Sequence, residues 1–92
     1  MDRGIVVFIS SVSGNRDIKR NQMHLHQFLT GKKMHFTELD IAADPDARSF
    51  TEGVLGGRKV LPPLIFVDGR YKGAYEDFDT ACEDGTLDVF FA

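Results

Sequence analysis

Leu64-Ile65-Phe66-Val67 runs directly into Asp68-Gly69, and Arg70-Tyr71-Lys72 follows. No other stretch limits the possible folds as much. Four consecutive apolar residues, two of them β-branched and one aromatic, suit a strand buried on both faces. Asp-Gly accepts the left-handed backbone of a two-residue hairpin, so the chain should return antiparallel through Arg70. Ile5-Val6-Val7-Phe8-Ile9 is a second run of the same kind. Two strands buried on both faces need helices above and below the sheet to exclude water.

The intervening residues supply those helices. Ser10 to Asn15 is a Ser/Gly loop, after which Ile18, Leu25, Phe28 and Leu29 recur at helical spacing between polar residues. Asp17 falls in the first turn, where an anion favours the helix dipole, and Gly31 is the expected stop. Phe36, Glu38 and Asp40 alternate with Thr37, Leu39 and Ile41, which indicates a strand but leaves its inward face open. Asp44-Pro45-Asp46 starts a second helix, with a capping Asp and then Pro at the first helical position. Ala47, Phe50, Val54 and Leu55 are its expected inward residues, and Gly56-Gly57 ends it. Ala74 to Glu83 reads as a third helix with Tyr75, Phe78 and Ala81 or Cys82 on one side. Gly85 punctuates it, and Leu87, Val89, Phe90 and Phe91 suggest a terminal helical turn that docks back.

The order is β-α-β-α-β-β-α. A β-α-β unit crosses over right-handed and yields parallel strands, and the hairpin adds an antiparallel pair. The expected class is therefore α/β, with a mixed four-stranded sheet flanked by helices on both faces: the thioredoxin-like arrangement. With 92 residues and no repeat or linker, 1–92 should be one domain with a small core.

Composition narrows function mainly by exclusion. Eleven basic against fourteen acidic residues, a net charge of −3, oppose a nucleic-acid binder. No apolar run approaches the ~18 residues of a membrane span, and Met1-Asp2-Arg3-Gly4 lacks a leader's apolar core. The single cysteine, Cys82, excludes an internal disulfide, a Cys-x-x-Cys pair and a multi-cysteine zinc site. On the Phe78 side of a helix its expected role is that of a small core residue. His24 and His26, two apart on a helix, point different ways; with His35 they read as solvated histidines, and no metal is expected. Gly56-Gly57-Arg58-Lys59 lacks a Walker pattern and reads as the loop after a helix.

Three local features carry a resemblance. Leu61-Pro62-Pro63-Leu64-Ile65-Phe66-Val67-Asp68-Gly69 resembles the glutaredoxin stretch in which a cis-proline precedes the third strand, which implies a cis Pro62–Pro63 bond. Gly73-Ala74-Tyr75-Glu76-Asp77 resembles the glutaredoxin Gly-Gly-x-Asp-Asp turn. Where glutaredoxins carry Cys-Pro-Tyr-Cys, this chain has Gly14-Asn15-Arg16-Asp17. The whole segment Ser10 to Lys19 is similar to that of the SH3-domain-binding glutamic-acid-rich-like proteins, glutaredoxin relatives without the active cysteines. The absent glutamate-rich tail points to the short members of that family.

The resemblance implies a glutaredoxin-like domain without thiol chemistry, since none of Gly14, Asn15, Arg16 and Asp17 can attack a disulfide. It also implies a ligand surface of Ser11, Leu61, Pro62, Pro63 and Gly73, Ala74, Tyr75, Glu76, Asp77. Glutathione is disfavoured as a cofactor there: Pro62 has no N–H for backbone pairing, and Ser11 stands where glutaredoxins place a Lys. Arg58 or Lys59 could still meet a carboxylate. The segment Val60-Leu61-Pro62-Pro63 lacks the outer proline of Pro-x-x-Pro, which opposes SH3 binding. The resulting expectation is a non-enzymatic protein-interaction module or adaptor, with a glutathione binder or residual redox regulator as the alternative. A monomer is expected, located in the cytoplasm and able to enter the nucleus.

Overall fold

The computed structural model describes residues 4–92; Met1-Asp2-Arg3, which the leader argument used, lie outside the described residues. The elements are β1 (Ile5–Ile9), α1 (Arg16–Gly31), β2 (Phe36–Asp40), α2 (Pro45–Leu55), β3 (Leu64–Val67), β4 (Arg70–Ala74), α3 (Tyr75–Asp84) and α4 (Leu87–Phe90). They form one sheet in the order β2-β1-β3-β4. β1 and β2 are parallel, as a β-α-β crossover requires, while β1–β3 and β3–β4 are antiparallel. Asp68 and Gly69 both have positive φ, +51° and +82°, the geometry of a hairpin turn that matches strand twist.

Strand alternation divides the core in two. Ile5, Val7, Ile65 and Val67 face Leu25 and Leu29 of α1 and Phe78 of α3. Val6, Phe8, Leu64 and Phe66 face Ala47 of α2. The alternating strand is the edge strand β2: Phe36 packs toward the first layer, and Leu39 with Ile41 toward the second. Phe78 is the hub of the first layer, 0% exposed, with the rings of His24, Phe28, Tyr75, Phe90 and Phe91 around it. Leu87, Phe90 and Phe91 thus dock the chain end back onto the core, while Val89, expected with them, is 66% exposed.

Several local expectations need correction. α1 ends at Gly31 as expected, but its cap is Lys32, and the positive φ of +57° falls on Lys33. Val54 is 38% exposed, while Thr51 is buried, its hydroxyl donating to the Arg48 carbonyl at 2.9 Å. That internal bond lets a polar residue occupy the inward position. Cys82 is exposed, not a core residue, because Ala81 takes the inward position of the last turn of α3. His24, His26 and His35 are all exposed, as expected, although His24 meets the Tyr75 hydroxyl and His26 bonds Glu38 at 2.8 Å.

Phe78→Ala should lower stability by about 3–5 kcal/mol, most of what a domain of this length possesses. Val54→Ala should change it by less than about 0.5 kcal/mol. Urea unfolding of the two variants checks this, and a large loss at Val54 would contradict the assigned helix face.

Candidate functional site at the loop end of the sheet

Register determines which loops meet. Phe8 pairs with Leu64, Leu64 with Ala74, and Ile9 with Asp40. The loop after β1, the prolines before β3, the turn after β4 and the end of β2 therefore share one end of the sheet. Loops gathered on a rigid scaffold are where binding residues concentrate.

The loop after β1 is tied down on both sides. Gln22 of α1 brackets Ser10, accepting from its N–H at 2.8 Å and donating to its carbonyl at 3.2 Å. Asp40 accepts from the Ser11 N–H at 3.2 Å and the Ala42 N–H at 2.9 Å. The Ser11 hydroxyl, then these amides, hold the Asp40 carboxyl below its ordinary range, because each favours the ionised form. Ser11 therefore anchors the loop beside β2.

The degenerate motif builds the start of α1. Asn15 caps it, its Oδ1 accepting from the Asp17 N–H at 2.8 Å and the Ile18 N–H at 3.3 Å. These first-turn amides are the groups that would stabilise a thiolate at a helix start. Here a neutral side chain occupies them. Asp17 pairs with Arg20 at 3.1 Å, both largely exposed.

Pro63, Gly73 and Ala74 are buried, so they shape the site rather than line it. The Pro62–Pro63 peptide bond is cis. Gly73 has φ +140°, and a Cβ there would lie 2.6 Å from both Cβ and Cγ of Asp77 and collide with its Oδ2. Asp77 in turn accepts from the Ala74 N–H at 2.9 Å, closing the turn into α3. Its carboxylate is thus engaged within the fold.

Two grooves flank Leu61, which is 61% exposed. One, of about 400 Å³, runs between the start of α1 and α3 and contains Asn15, Asp17, Leu61, Pro62, Tyr75 and Glu76 from the expected set. It also contains Ile18, Arg20, Asn21, Asp79 and Thr80, which the motifs did not single out. Helical spacing was the available signal: Arg20 follows Asp17 by three, and Asp79 follows Tyr75 by four. The other groove, of about 420 Å³, is apolar, lined by Val12, Ile41, Leu55, Val60 and Leu64, with Arg48, Arg58 and Lys59 among its polar residues. Gly14, Arg16 and Ser11 line neither.

Neither groove contains a thiol. Cys82 lies outside both grooves. Partial burial, with the Asp79 and Glu83 carboxylates adding, pushes its thiol up from the ordinary value. Among the described residues no group of three or more His, Cys, Asp or Glu could hold a metal, and no helix is long and apolar enough to cross a membrane.

Two substitutions of one kind should have opposite signs. Gly73→Ala should cost roughly 1–3 kcal/mol, through backbone strain and displacement of the Asp77 cap. Gly53→Ala, in open space on α2, should gain about 0.5–1 kcal/mol; denaturant unfolding reads both. The Cys82 thiol should be alkylated by iodoacetamide with an apparent pKa above the ~8.5 of a free cysteine. A midpoint below 7 would contradict the assigned environment. By NMR, Asp40 should titrate below about 3.9, and Ser11→Ala should raise that midpoint. Because this pKa is lowered on folding, the ionised carboxylate's contribution to stability is complete above the unfolded value and disappears as pH falls through the folded one.

Known proteins place this geometry. An actin interacting protein of C. albicans superposes with a TM-score of 0.77 at 21% identity, covering 97% of this chain and 88% of that one. A buckwheat glutaredoxin, in complex with glutathione, superposes with a TM-score of 0.69 at 18% identity, covering 96% and 76%. At such identities the likeness is one of fold. The SH3 domain-binding glutamic acid-rich protein homolog of Drosophila melanogaster is 34% identical over 97 aligned positions, which take in 91% of this chain and 61% of that protein. The chain thus spans about three fifths of the relative's length. Residues 3–92 match the family described as SH3-binding, glutamic acid-rich protein, and the chain belongs to that family.

Proposed function

We propose that this chain is a non-enzymatic protein-interaction module or adaptor that engages its partners with the loop end of the sheet. One observation carries the reading. The redox slots hold Gly14-Asn15-Arg16-Asp17 with the helix-start amides capped by Asn15, yet Leu61 and Val12, 61% and 78% exposed, still stand beside open grooves. Apolar side chains so exposed at a groove are what a protein partner covers.

The relatives' names support this reading. One describes SH3-domain binding and another actin interaction, both contacts with proteins. SH3 recognition through Leu61-Pro62-Pro63 is not part of the proposal: the outer proline is absent and Pro63 is buried. A glutathione binder is the weaker reading. Pro62 offers no N–H, Asp77 is engaged with Ala74, and the groove beside Tyr75 is acidic.

A thiol-transferase assay on a glutathione mixed disulfide should show turnover no higher than buffer and unchanged by Cys82→Ser. Turnover that this variant abolishes would overturn the reading. A photo-crosslinking residue at Leu61 should also yield more protein adducts in cell extract than one at Lys32, at the opposite end of α1. Equal yields would contradict the assigned face.

A further inference from the structure

We propose that the groove between α1 and α3 takes a basic, Lys- or Arg-bearing segment of a partner protein, laid against Leu61, Pro62 and Tyr75. The inference rests on the adaptor reading and specifies what that surface recognises. Its first support is charge. Asp17, Glu76 and Asp79 line the groove against one cation, Arg20, which is already paired with Asp17. Among the described residues neither Glu76 nor Asp79 has an ion-pair partner. Behind them, α3 carries five acidic residues and no basic one, in a chain whose net charge is −3. An anionic ligand would be repelled, whereas a cation meets two uncommitted carboxylates.

The second support is the shape and chemistry of the wall. Ile18 is buried beneath the groove, Pro62 and the Tyr75 ring are half-buried, and Leu61 projects. Such a surface accepts the aliphatic stem of Lys or Arg, and the ring adds a cation–π face. Burial, then the Asp79 carboxylate, raises the Tyr75 phenol above its ordinary pKa, and its hydroxyl meets His24. The ring also packs against Phe78. Across Leu61 the other groove has the opposite character, with Arg48, Arg58 and Lys59 against Glu52. The contrast gives a bound segment a direction: its basic part lies on the α3 side of Leu61.

The test is an amide-resolved NMR titration with two short unstructured peptides that share the same leucines. One carries Lys and Arg at the remaining positions, the other Glu. The cationic peptide should shift Ile18, Asn21 and Tyr75 to Thr80, and a Glu76→Gln/Asp79→Asn double variant should bind it roughly fivefold to tenfold more weakly. Raising salt should weaken it further. Both changes lie at exposed positions outside the Asp77 cap, so an unchanged amide spectrum confirms that the variant is folded. If the glutamate peptide binds instead, beside Arg58 and Lys59, the basic-segment inference is wrong while the adaptor surface stands. If neither peptide perturbs the loop end, both are wrong.

Discussion

The antiparallel pairing of β1 with β3 supports everything else in this molecule. Ile5 opposes Val67, and Phe8 opposes Leu64, so each residue of one strand sits beside a residue of matching facing on the other. Alternation then sends Val7 and Ile65 to the α1 and α3 side, and Phe8 and Phe66 to the α2 side. In so short a chain each layer has few residues, and a one-residue slip would exchange the two layers outright. The same register brings the ends of four strands together at one edge. The candidate site is thus a consequence of how the core is paired.

Given that scaffold, the identity of a few loop residues decides the chemistry. A thiolate at the start of α1 would use first-turn amides as its stabilising donors; here Asn15 Oδ1 takes them. A peptide-like ligand beside the prolines would use a backbone N–H, and Pro62 has none. A cationic ligand group at the turn after β4 would need a free Asp77, which instead closes that turn. Asn15 and Asp77 are thus engaged in holding the fold, and no cysteine stands at the start of α1. What stays available is exposed apolar surface with charge of one sign on each side.

The regular part of this structure was legible in the sequence because it is written locally. Two continuous apolar runs, the Asp68-Gly69 turn and the Asp44-Pro45 helix start each carry their own physical signal. Positions that depend on competition between neighbours were not legible. The end of α1 at Gly31 was legible, but not the positive φ at Lys33. Ala81 and Cys82 are adjacent candidates for the inward side of α3, separated only by the helix phase around Phe78. Thr51, which carries no apolar signal, is buried with its hydroxyl bonded to the Arg48 carbonyl, while Val54, expected inward, is exposed. At the site, the resemblance located the loops. It could not show that Asp79 and Arg20 enter the same groove, since this requires knowing how α1 lies against α3.

A module that engages proteins through the loop end, with Asn15 on the helix-start amides and Asp77 closing its own turn, should leave glutathione unbound. Amide-resolved titration with reduced glutathione tests it most directly. No localised, saturating shifts are expected at Asn15 to Ile18, Leu61 or Gly73 to Asp77, even at large excess. Saturable shifts confined to those residues would contradict it and make the protein a glutathione binder.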